Sequence, residues 1–95
     1  MKYQAKQRAI SQMVEMLDNF FNEEISSDSV LKFNYRLNDK CDIKDVILYT
    51  IENGEVSILP DCVYNFDNAN SYGEIIKAFD KCVKQIQSFK KVFKL

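Results

Sequence analysis

Apolar residues at Ile10, Met13, Val14, Leu17, Phe20, Phe21 and Ile25 recur at the spacing of one helical stripe, and Gln7, Ser11, Gln12, Glu15, Asp18, Asn19 and Asn22 fill the opposite face. The spacing predicts a helix from about Tyr3 to Glu24. Ser26-Ser27-Asp28-Ser29 ends it, because these side chains compete for backbone hydrogen bonds. From Val30 the period falls to two: Leu31, Phe33, Tyr35 and Leu37 alternate with Lys32, Asn34, Arg36 and Asn38, the pattern of a strand with one wet face. Asn38 to Asp42 reads as a loop. A second strand, Val46 to Ile51, is apolar at nearly every position and should be central. Asn53-Gly54 then signals a type I′ hairpin turn, and Val56-Ser57-Ile58-Leu59 forms the third strand, ended by Pro60.

That turn predicts a register in which Ile51 faces Val56, Tyr49 faces Ile58 and Leu48 faces Leu59. One sheet face then carries Ile47, Tyr49, Ile51, Val56 and Ile58 and is expected to be the core face. The other carries Val46, Leu48, Thr50, Ser57 and Leu59, more apolar than a face left in water. Homodimerisation through that second face, or through an exposed strand edge, is the expected consequence. Glu52 and Glu55 come out directly opposed, an unfavourable like-charge pair. Residues 61–70 alternate only weakly and read either as a short edge strand or as a long connection.

Ser71-Tyr72-Gly73-Glu74 has capping-box spacing and opens a last helix running to about Phe93. In it Tyr72, Phe79, Ile86 and Phe93 recur every seven residues, with Ile75, Cys82 and Phe89 three further on, a seam that suits packing along a sheet. The expected fold is a single α+β domain spanning residues 1–95, of order α-β-β-β-α. Two long amphipathic helices flank one face of an antiparallel three- or four-stranded sheet.

Charge changes this picture because it is segregated. Residues 1–14 hold three bases and no acid, residues 15–28 five acids and no base, and residues 52–74 five acids and no base. Residues 75–95 carry six lysines against Asp80, although the net charge is only −1. Parallel helices would bring Glu23 and Glu24 near Lys90, Lys91 and Lys94, offsetting an unfavourable alignment with the first helix dipole. The acidic hairpin region (Glu52, Glu55, Asp61 and Asp67, with Tyr64 as an aromatic anchor) is the candidate partner-binding surface. The alternative is a nucleic-acid-binding stripe of Lys77, Lys81, Lys84 and Lys91, which would otherwise serve as a solvated face. A small-ligand-binding dimer with a pocket near Tyr35, Tyr49 or Tyr64 is a third reading.

The chain offers little chemistry. Histidine is absent, which removes the commonest general base, and two glycines cannot form a Gly-rich phosphate cradle. The three cysteines, Cys41, Cys62 and Cys82, include no C-x-x-C pair and supply too few ligands for a structural zinc site. Asp39, Asp42 and Asp45 lack the alternate spacing of a calcium loop. No catalytic residue, cofactor or metal site is therefore expected, and the protein is not expected to be an enzyme. The unpaired cysteine pattern, and the lack of any apolar signal core or membrane-spanning run, lead to the expectation of a reducing, cytoplasmic setting.

The element order resembles that of double-stranded-RNA-binding domains, whose last helix begins with a phosphate-gripping lysine cluster. Here that end reads Asn70-Ser71-Tyr72-Gly73-Glu74, without a base, and the hairpin tip Glu52-Asn53-Gly54-Glu55 would repel RNA. In a small acidic chain without catalytic motifs, the same order is also similar to some phage-encoded inhibitors, certain anti-CRISPR proteins among them. Eleven lysines against two arginines suit an AT-rich bacterial or phage genome. The expected function is a small non-enzymatic protein-binding module, an inhibitor or adaptor.

Overall fold

A computed structural model describes residues 2–93, with the side chains of 61–63 and 93 outside the description. The Asp61, Cys62 and Phe93 side chains and Lys94, to which the sequence pattern assigns roles, therefore lie outside the described residues. The elements are α1 (Tyr3–Glu24), β1 (Leu31–Leu37), β2 (Ile43–Glu52), β3 (Glu55–Asn65) and α2 (Tyr72–Phe93), the expected α-β-β-β-α order. The sheet is antiparallel with β2 in the centre, and both helices pack on one of its faces.

The helices run parallel. At their N-terminal end Lys6 Nζ donates to the Asp67 carbonyl at 3.1 Å, and at the other end Lys90 Nζ lies 2.7 Å from Glu24 Oε2. The expected pairing between the two charge blocks is thus present, as a partly exposed ion pair. α1 has no side-chain cap and no acid in its first turn, whereas the Ser71 hydroxyl of α2 accepts the Glu74 N–H at 3.2 Å. Glu74 returns a bond to the N–H of Asn70 rather than Ser71, a capping box displaced by one residue. The Tyr3 hydroxyl donates to the Asp42 carboxylate, which ties the start of α1 to the β1–β2 loop and raises the tyrosine pKa.

The hairpin forms as the turn chemistry predicts: Asn53 (φ 52°) and Gly54 (φ 81°) both take positive φ, and Glu52 faces Glu55, Ile51 faces Val56 and Tyr49 faces Ile58. Leu48, however, does not simply face Leu59. Ile47 pairs with Val63, so Leu59, Pro60, Asp61 and Cys62 together oppose Leu48. Proline has no N–H for the ladder, and the chain bulges there instead of stopping. The strand then resumes, so the weakly alternating stretch after Pro60 is the continuation of β3, paired with the same neighbour.

The two faces of the sheet are exchanged relative to expectation. Leu31 pairs with Thr50, Phe33 with Leu48 and Tyr35 with Val46, so the apolar side of β1 shares a face with Val46 and Leu48. That is the face the helices cover. Its core joins Ile10, Met13, Val14, Leu17 and Phe21 of α1 to Leu31, Val46, Leu48, Tyr64 and Phe66, and to Ile75, Cys82 and Ile86 of α2. Phe21 and Phe33 meet with ring centroids 5.8 Å apart. Of the face expected to be the core, Ile51, Val56 and Ile58 stand open and Tyr49 is half-buried, while Ile47 on the same side is buried.

Candidate interaction surface

On the open face the β2–β3 hairpin presents Ile51, Val56 and Ile58 at 38, 61 and 43% exposure, beside the half-buried Tyr49. Alternation puts them on one side of two paired strands, and their register makes Ile51 and Val56 direct neighbours. The β1 part of the same face is polar. There Arg36 grips Asp45 with two bonds, Nε to Oδ1 at 2.8 Å and Nη2 to Oδ2 at 2.6 Å, while Asp45 is only 1% exposed. Those bonds and the carboxylate charge hold the Arg36 pKa above its ordinary value. A buried carboxylate held this way also fixes the β1–β2 register, because a slip of one residue would strand it.

The residues expected to form one acidic surface are dispersed. Glu52 and Glu55 are exposed at the hairpin tip, whereas Asp67 lies beyond the opposite end of β3, with its backbone N–H bonded to Asn65 Oδ1 at 2.8 Å. Tyr64 is no surface anchor: it is buried, and its hydroxyl donates to the Lys81 carbonyl at 3.3 Å. Nor do the tyrosines converge on a pocket. Tyr35 and Tyr64 belong to the helix-covered face and Tyr49 to the open one, as their cross-strand partners require.

The lysines fare better. Lys77, Lys81 and Lys84 line a shallow groove of about 580 Å³ between α2 and the edge strand β3, together with Tyr64, Asn65, Glu74 and Asp80. Lys91 stands apart, with Lys90 in the last turn of α2. A second apolar patch, absent from the sequence reading, lies between the helices, where Met16, Tyr72 and Ile76 are exposed above Met13 and Ile75. Tyr72 and Ile75 of this patch belong to the seven-residue seam of α2, whereas Met16 lies off the apolar stripe of α1.

Cys41 is exposed and Cys82 lies in the core. Among the described residues, no cluster of acids and cysteines is placed to hold a metal ion, and no helix is long and apolar enough to cross a membrane. Comparison with protein families, with curated proteins and with solved structures finds no match.

Proposed function

We propose that this chain is a non-enzymatic protein-binding module, an inhibitor or adaptor, that engages its partner through the open apolar face of the β2–β3 hairpin. One observation carries the reading: Ile51, Val56 and Ile58 stand side by side, substantially exposed, on a face that no element covers among the described residues. Contiguous apolar surface on a sheet next to a free edge is an aggregation hazard, and proteins that retain it generally use it. Glu52 and Glu55 at the hairpin tip turn to the helix side of the sheet, so the surface offered to a partner is the apolar patch itself. The cysteine usage supports a reducing, cytoplasmic setting.

The test compares baits. The wild-type chain, a Val56→Lys/Ile58→Lys chain and a Met16→Lys/Ile76→Lys chain are used to capture proteins from nuclease-treated host lysate. A partner held by wild type, lost with the hairpin variant and kept with the helix variant supports the reading. A partner kept by the hairpin variant overturns it. The lysine groove supports nucleic-acid binding as the alternative, and affinity for an oligonucleotide falling steeply with salt would favour it.

A further inference from the structure

We infer that β3 pairs edge to edge with β3 of a second copy, seating the acidic hairpin tip of each chain beside the lysine groove of the other. The backbone phase is set by the bond from the Ile51 N–H to the Val30 carbonyl, 3.0 Å. Even-numbered residues of β1 therefore bond to β2, and the N–H groups of Leu31, Phe33 and Tyr35 point to the open edge. Two of these three are closed by side chains: Ser29 Oγ accepts from Leu31 at 3.1 Å, and Asn34 Oδ1 accepts from Tyr35 at 2.8 Å. The other edge is different. On β3, Glu55 and Ser57 bond to β2, so the N–H and C=O groups of Val56 and Ile58 point outward. Among the described residues nothing bonds these groups, and residues 55–58 are all exposed. The β1 edge is thus partly guarded, whereas the Val56–Ile58 segment of β3 is bare among the described residues.

The bare segment is self-complementary. A two-fold centred on Ser57 sets Val56 of each copy opposite Ile58 of the other and Glu55 opposite Leu59, so no like charges face each other. Pairing centred on Glu55 would oppose two acids, and pairing that used Pro60 would lack its N–H. The direction of pairing also supplies charge complementarity. Each hairpin tip runs two to three positions past the other chain's Ile58. Because the Pro60 bulge takes up the intervening residues, Tyr64 pairs with Val46, only three β2 positions from Tyr49, which faces Ile58; this is ~10 Å at ~3.3 Å per residue. The tip therefore comes level with Tyr64, where Lys77, Lys81 and Lys84 line the groove. Glu55 alternates with Val56 and so points to the helix side of the sheet, the side on which α2 carries those lysines. Within one chain the acids and the lysines sit towards opposite ends of β3; across the two-fold they meet. The same pairing joins the two open hairpin faces into one surface.

The experiment is sedimentation equilibrium of the purified chain and its charge-reversed variants across the micromolar range, with circular dichroism confirming the fold. Wild type should approach twice the 11.1 kDa chain mass. Glu52→Lys/Glu55→Lys alone, and Lys77→Glu/Lys81→Glu/Lys84→Glu alone, should each dimerise at least tenfold more weakly. Mixed in equal amounts they should form a heterodimer, since both tip–groove contacts then join opposite charges. Val56→Pro, which removes an outward N–H without touching a bond to β2, should be monomeric. A wild-type chain that stays monomeric throughout, leaving the edge to some other protein, overturns the inference. So does a dimer indifferent to the reversals and to Val56→Pro. Neither result depends on a captured partner, so the protein-binding reading stands or falls separately.

Discussion

Leu48 and Ile51 lie three residues apart on β2 and are nearly equal in apolar character. Leu48 is fully buried beneath the helices, while Ile51 looks out from the opposite face with Val56 and Ile58. The difference does not come from β2, which is apolar on both sides. It comes from β1, where Leu31 and Phe33 stand on one side and Lys32 and Asn34 on the other, so only one face can be closed by helices. Hydrophobic content therefore says that a strand is central, but not which of its faces is the core.

Substitutions across that divide should separate sharply in urea denaturation. Leu48→Ala should cost about 2–5 kcal/mol, the range for a fully buried leucine, and Ile51→Ala well under half of that. Equal losses would break the assignment of faces. Next in size, Arg36→Ala should lower the melting temperature clearly more than Lys32→Ala, because it leaves the buried Asp45 carboxylate without its partner. Adding Asp45→Asn should recover part of the loss, and no recovery would mean that the pair is not what holds this end of the open face. Gly54→Ala should cost about 1 kcal/mol, since nothing crowds its Cβ and the penalty comes from φ alone. The smallest effect belongs to Lys90→Glu. Its ion pair with Glu24 is partly exposed on both sides, so the cost should stay near 0.2–1 kcal/mol and shrink with added salt.

Much of the architecture was legible where a local rule acts alone. Both helices follow from their apolar stripes, α2 from the Ser71–Glu74 cap, and the hairpin from Asn53-Gly54. The illegible parts depend on relations between distant residues. The choice of core face requires the β1–β2 register, which passes through a loop containing Cys41 at positive φ and a shift between Arg36 and Leu37. The continuation of β3 past Pro60 requires knowing that β2 offers one residue against four. The burial of Tyr64 follows from that same slip, which turns it under α2. Of the proposed sites, the lysine stripe was readable because helical spacing alone places Lys77, Lys81 and Lys84 together. The acidic surface was not, because it combined the two ends of β3.

The most direct measurement is amide hydrogen exchange at Val56, Ser57 and Ile58 as protein concentration is raised. Ser57 bonds to β2 and should be protected at every concentration. Val56 and Ile58 should exchange freely when the chain is dilute and become protected as it is concentrated, while Leu31 and Tyr35 on the guarded edge change little. Free exchange at Val56 and Ile58 at the highest concentration would contradict the use of the bare β3 edge by a second copy.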